Sequence, residues 1–209
     1  MRVWMFVLLL ASAARAGGDT AGDFDYYVLS LSWSPTWCAL EGDARDAPQC
    51  DASADHGWML HGLWPQYKRG WPAHCPTARH PPSRSLTGAM ADIMGSSGLA
   101  WYQWEKHGTC SGLSAEDYYA AAREAHARVA RPEVFRKLTA PVKLPAHVVE
   151  AAFLNANPGW QADMLTITCR EGRIHEARLC LSKSLEPVTC GHDLRRDCAL
   201  DDALLDPIR

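Results

Sequence analysis

The sequence predicts an α+β fold, an antiparallel β-sheet core with packed helices and disulfide staples. Three observations predict it. Strand-like segments lie at both ends of the chain with helix-like segments clustered between them, the order of an α+β rather than a doubly wound domain. Eight cysteines, an even number, all lie after position 37, as in an exported protein with paired thiols. The 209 residues, 47% hydrophobic and 22% charged, suffice to bury one ordinary core. Glycine and proline are spread without a short period, which excludes collagen-like, solenoid and low-complexity readings.

Residues 1–16 read as a signal peptide, with Arg2 as the positive start, an apolar run over 3–11 and Ala14-Arg15-Ala16 as the cleavage site. The run is far shorter than the roughly 20 residues of a membrane span. No later segment is long enough either, so the expected protein is secreted or periplasmic and does not bind a membrane. The absence of an Asn-x-Ser/Thr acceptor leans the source toward bacteria. Residues 17–209 then form a single domain, since no linker divides them.

Within that domain, residues 24–33 read as a strand by the alternation of Tyr26, Val28, Ser30 and Ser32 with Tyr27, Leu29 and Leu31, and Ser34-Pro35 stops it. A loop with Cys38 and Cys50 leads to a second strand over 58–64, ended by Pro65. Five prolines between 65 and 84 predict a long surface loop anchored by Cys75. Short helices follow over 86–94 and 99–107. Ser114-Ala-Glu-Asp117 resembles a helix N-terminus before the alanine-rich run to 130. Pro132 and Pro145 suit first helical turns ahead of 133–138 and 146–156. Finally, 164–170 and 174–181 read as two strands joined at Glu171-Gly172 in a hairpin.

The formal charge is −3, or −5 after cleavage at Ala16, which argues against nonspecific adhesion to polyanions at neutral pH but not against a local basic pocket. Protonation of all nine histidines would bring the mature chain to +4. A mildly acidic compartment therefore changes its attraction to phosphates.

Two segments concentrate reactive side chains: His61-Gly62-Leu63-Trp64-Pro65 and Trp104-Glu105-Lys106-His107-Gly108-Thr109-Cys110. A lone histidine near a strand end is usually structural, but two beside aromatic residues are harder to dismiss. At about 100° per residue, Tyr102, Gln103, Lys106 and His107 share one helix face, with Trp101 and Trp104 on the other side as core anchors. A solvated helix face is the usual fate of such a set. Against that stand Cys110, three positions beyond His107, and Cys75, in the loop after His61, whose bridging would hold the two segments together. A histidine pair with a lysine suits a reaction in which one imidazole removes a proton, the other donates one, and the ammonium stabilises charge on a phosphoryl group. RNA carries its own nucleophile in the 2′-hydroxyl, so this chemistry cleaves it with no metal and no cofactor. Trp64 and Tyr67 are candidates to stack a base. A zinc reading of His74-Cys75 finds no Cys-x-x-Cys or close His-x-x-x-His array to support it.

The two motifs resemble the two active-site segments of the ribonuclease T2 family, in the family's order. Phe24-Asp-Tyr-Tyr-Val-Leu-Ser-Leu-Ser-Trp33 with Cys38 is similar to its first strand, and Phe153-Leu-Asn-Ala-Asn-Pro-Gly159 with the Cys169 and Cys180 strands to its C-terminal half. The resemblance implies an endoribonuclease acting on single-stranded RNA and not on DNA, as a monomer. It assigns His107 as the base for the 2′-hydroxyl, His61 as the acid for the leaving 5′-oxygen, Lys106 to the phosphorane and Trp64, with Tyr67, to the base. The products would be a 2′,3′-cyclic phosphate and a 5′-hydroxyl. It also implies the disulfides Cys38–Cys50, Cys75–Cys110, Cys169–Cys198 and Cys180–Cys190, which spacing alone leaves among 105 pairings. Many members have His-Glu where this chain has Tyr102-Gln103. Tyr102 still donates a hydrogen bond to phosphate but carries no cation, and Gln103 is not a carboxyl group. Glu105, about 160° around the helix from His107, faces elsewhere. His74 and Lys68 are further candidates for RNA contact. The competing reading is a catalytically weakened RNA-binding or host-interaction protein on the same scaffold.

Overall fold

The computed structural model describes residues 19–209, so the signal peptide expected over 1–16 lies outside the described residues. Six strands form one sheet: β1 (Tyr26–Trp33), β2 (Trp58–Gln66), β3 (Val142–Leu144), β4 (Leu165–Arg170), β5 (Arg173–Leu181) and β6 (Ala203–Leu205). Their order is β2-β1-β5-β6-β3, with β4 paired to β5. The long pairs are antiparallel and β5 meets β6 in parallel at Arg173 and Leu204. The helices are α1 (Ser34–Trp37), α2 (Arg84–Ala89), α3 (Ala91–Met94), α4 (Ser97–Lys106), α5 (Ala115–Arg128) and α6 (Ala146–Ala156).

The alternation in β1 decides its two faces. Tyr27, Leu29, Leu31 and Trp33 enter the main core with the helices, whereas Tyr26 and Val28 join a smaller cluster with Cys180 and Cys190. Both faces are therefore covered, which is why seven of the eight β1 residues are buried. Ser30 and Ser32 continue the second face. Ser114 caps α5 as expected, its hydroxyl accepting the Asp117 N–H at 3.1 Å. Glu171 and Gly172 both take positive φ (50° and 76°), the two-residue turn that matches strand twist in a tight hairpin.

Three expectations need correction, and two short strands were not expected. Pro65 does not end the second strand, which runs on to Gln66. β2 is an edge strand, so the missing proline N–H can face out of the sheet at no cost in ladder bonds. Ser34-Pro35 does stop β1, but it opens α1 rather than a loop, because proline fits a first helical turn. Residues 133–137 form a 3-10 turn and not an α-helix. β3 and β6, three residues each, have no pattern long enough to read in sequence.

All four disulfides have the pairing that the resemblance implied. With Cys75 bonded to Cys110, no thiolate is left there for the zinc reading. Cys75–Cys110 closes 35 residues and Cys180–Cys190 closes 10. Loop-closure entropy makes the first worth about 4 kcal/mol and the second about 3 kcal/mol. Urea unfolding of Cys75→Ala/Cys110→Ala is therefore expected to show a larger loss than Cys180→Ala/Cys190→Ala. A reversed order would show that closure length does not govern these staples.

Candidate active site

Two β-bulges build one wall of the site. Ser30 pairs with Gly62 and Leu31 with Leu60, so His61 is the extra residue of β2. Thr168 pairs with Glu176 and Cys169 with Ile174, so His175 is the extra residue of β5. Bulges re-aim side chains, and both histidines line one cleft of about 490 Å³ with Ser32, Leu99 and Tyr102.

His61 reaches a residue two strands away. Its Nδ1 lies 2.5 Å from Glu176 Oε1, across β1, although β2 and β5 are separated there by about 10 Å of sheet. Ser30 and Ser32, which face Arg178 and Glu176 across the ladder, are small enough to leave that path open. Glu176 is 1% exposed, and Arg178 Nε and Nη2 donate to its other oxygen at 2.9 and 2.7 Å. Burial pushes the Glu176 carboxyl up, but the His61 hydrogen bond and the charges of His61, Arg178 and His175 outweigh it and hold the group well below the carboxylate range. An ionised carboxylate only accepts, so His61 Nδ1 carries a proton and Nε2 is the nitrogen left for other chemistry.

The second wall is the end of α4. His107, its C-cap, is 5% exposed, and its N–H donates to the Gln103 carbonyl at 2.9 Å. Burial, then the charges of Lys106, His61 and His74, push the His107 imidazole down to about 3. It is a free base at neutral pH, and its Nδ1 has no protein partner. Trp64 stands between the two histidines, edge-on to His61 with centroids 5.1 Å apart and stacked on His107 at 5.2 Å. Its Nε1 donates to Gln103 Oε1 at 2.7 Å, and the Arg178 guanidinium lies 5.4 Å from its ring. Lys106 lies 5.6 Å from the exposed Tyr102 ring. Gly62 has a reason of its own: a Cβ there would overlap Gln103 Oε1 and Trp64 Nε1.

The structure thus brings His61, Trp64, Tyr102, Gln103, Lys106 and His107 together. Tyr67 has a different partner: its hydroxyl donates to Asp19 at 3.4 Å. Gln103 is 1% exposed and not on an open face with Tyr102, because α4 turns this side against β2. Trp101, expected in the core beside Trp104, is 38% exposed. Glu176 and Arg178 were not singled out in sequence. The signal was there, since an acid and a base two positions apart, Glu176 and Arg178, share one face of the strand with Cys180.

Residues 24–190 match the Ribonuclease T2 family. A ribonuclease of Aeromonas hydrophila is 37% identical over 208 residues, 95% of this chain and 93% of that protein. Among solved structures, an RNase-related protein from Calystegia sepium superposes with a TM-score of 0.63 at 19% identity, covering 88% of this chain and 96% of that one. RNase NT in complex with 5′-AMP does so at 0.60 and 18% identity, covering 88% and 98%.

Two outcomes follow from this geometry. Gly62→Ala is expected to separate Trp64 from Gln103 and destabilise the fold by roughly 1–3 kcal/mol, the range for overpacking; denaturant melts would measure it, and an unchanged midpoint would contradict the close approach. The buried histidines also set a pH dependence. Burial holds His107 at about 3 and His126 at about 4, below the ordinary 6.5, so the unfolded chain takes protons that the folded one refuses. Stability is then fully present above about pH 6.5 and is lost progressively as pH falls toward 4. Melting temperatures across that window should fall less steeply in His126→Gln, and parallel curves would refute the assignment.

Proposed function

The chain belongs to the Ribonuclease T2 family and is a ribonuclease of that family; from this we propose the reaction and the roles that its site carries. It is an exported, monomeric endoribonuclease that cuts single-stranded RNA by transphosphorylation, without metal or cofactor. The observation that carries this reading is the asymmetry of the two imidazoles. His107 is buried among positive charges and free to accept a proton, and His61 is protonated at Nδ1 against a buried carboxylate.

In the proposed reaction His107 takes the 2′-hydroxyl proton as the oxygen attacks phosphorus. His61 Nε2–H passes its proton to the 5′-oxygen as the P–O5′ bond breaks. The products are a 2′,3′-cyclic phosphate and a 5′-hydroxyl. Lys106 stabilises the charge on the phosphorane, and Tyr102 donates to a phosphate oxygen. The phosphate's own negative charge offsets the cations that depress His107 and raises its basicity when substrate binds. Only 5% of His107 is open, but proton transfer needs access to one nitrogen and no more. Trp64, held by Gln103 and stacked on His107, sets the separation of the two imidazoles as well as offering an edge to the base.

Glu176 is a positioning residue here: its hydrogen bond to Nδ1 fixes the His61 ring with Nε2 toward the cleft. Cleavage of RNA in EDTA, with DNA of the same sequence intact, is the primary test, because DNA lacks the internal nucleophile. His61→Ala and His107→Ala are each expected to lower turnover at least about a hundredfold with near-ultraviolet dichroism unchanged. Glu176→Gln keeps the shape and removes the charged acceptor that orients the His61 ring, so it should lower turnover while KM is held, and Glu176→Asp, which keeps the carboxylate, should recover part of the loss. Metal-dependent cleavage, efficient DNA cleavage, or wild-type rates in the folded histidine variants would overturn the assignment.

A further inference from the structure

The chain is acidic overall, yet positions 56–91 contain no aspartate or glutamate. Lys68, Arg69, Arg79 and Arg84 fall in this stretch with His74 and His80, all exposed. Among the described residues no carboxylate lies within 4.0 Å of any of the four cations, whereas eight other arginines pair with carboxylates. The two halves of the stretch differ. Beside Lys68 and Arg69, Asp25, Asp193 and Asp19 accept the N–H groups of Lys68, Gly70 and Ala73, so negative charge lies close by. From His74 onward the acid that lines the surface is Glu105 alone.

His74, Arg79 and Trp101 line an open cleft of about 400 Å³ over Cys75. The Trp101 indole is 38% exposed there, although its neighbour Trp104 is buried. The cleft adjoins the histidine pair: the His74 N–H donates to the Lys106 carbonyl at 2.9 Å, and Cys75 is bonded to Cys110. On α4, Trp101 borders this cleft and Tyr102 borders the one that holds His61, so the helix is a ridge between the two. Arg79 spends one amino group on the Gly112 carbonyl at 3.4 Å and keeps its other donors free.

We propose that this second cleft is a subsite for a nucleotide flanking the cleaved pair, with Trp101 stacking its base and Arg79 and His74 meeting its phosphate. The substrate class is therefore single-stranded RNA longer than a dinucleotide. Stacking on an exposed indole tolerates any base but needs an unpaired strand, and the cations nearby track the backbone. Glu105 disfavours phosphate on its own rim, which leaves the Arg79 and His74 side for it. The inference rests on the reading of the chain as an RNA-cleaving enzyme and deepens it.

Two measurements on the full-length mature chain test it separately from that reading. Fluorescence anisotropy with an uncleavable 2′-O-methyl 12-mer reads binding whether or not the enzyme turns over. Trp101→Ala is expected to weaken binding roughly tenfold, and Arg79→Ala to lower the slope of log affinity against log salt by about 0.7. Trp101→Leu, which keeps an apolar side chain on the helix, should lose as much affinity as Trp101→Ala. Cleavage of a dinucleoside monophosphate, which has no flanking nucleotide, should stay within about twofold in each variant. Unchanged 12-mer binding, equal losses on the dinucleotide, or equal binding of duplex RNA or of anionic phosphatidylglycerol vesicles would overturn the subsite. A wild-type protein that cleaves no RNA would refute the catalytic reading while the anisotropy still decides the cleft.

Discussion

A carboxylate buried to 99% has to be neutralised by partners that never let go, and Glu176 imposes that condition on the whole catalytic half of the molecule. Removing an ionised group from water costs several kcal/mol unless its lone pairs are met. Here one oxygen meets His61 and the other meets two donors of Arg178. The partners come from strands on either side of β1, so β1 must carry small side chains where they cross. Serine at 30 and 32 meets that need in a strand that is otherwise aromatic and aliphatic. The bulge at His61 then supplies the rotation that a regular strand would deny the ring. The small residues of β1 and the orientation of the His61 ring both serve one desolvated charge.

The two histidines differ in what surrounds them. His61 donates to a buried carboxylate, and burial beside Lys106 lowers the proton affinity of His107. His61 and His107 sit on either side of a single indole, so the two environments are brought close without merging. Trp64 is held by its hydrogen bond to Gln103 and by its stack on His107, and Gly62 leaves room for both.

How much of this was legible depended on range. β1, the β4–β5 hairpin and the α5 cap are local features, written in alternation, a Glu-Gly turn and a Ser-x-x-Asp, and they stand where the sequence puts them. The motif histidines and Lys106 were equally plain. Glu176 was not, because the partner that gives it a role, His61, is 115 positions away, and the nearby Arg178 alone reads as an ordinary ion pair along one strand. The helix-face argument for α4 located Lys106 and His107 but exchanged the fates of Trp101 and Gln103. Periodicity tells which residues lie together, and only the packing partner tells which of two faces is covered. Here the edge of β2 takes the Gln103 side, and the amide finds a donor in Trp64 that no helical wheel contains. The short strands β3 and β6 gain their pairing from tertiary contact alone.

Gln103 illustrates what a departure from a family pattern means once its surroundings are known. Where a carboxyl group is usual, this chain has an amide whose carbonyl oxygen accepts from Trp64 Nε1 at 2.7 Å. A carboxylate would accept the same bond, so the indole's placement does not depend on which residue stands there. What changes is charge. A carboxylate at 103, buried beside Trp64 and one helical turn from His107, would raise the proton affinity of that imidazole, and the amide does not. His107 is left with burial and the nearby Lys106 charge, which lower its proton affinity. In the proposed reaction the substrate phosphate is the anion that opposes them, which would tie the activation of His107 as base to the presence of RNA.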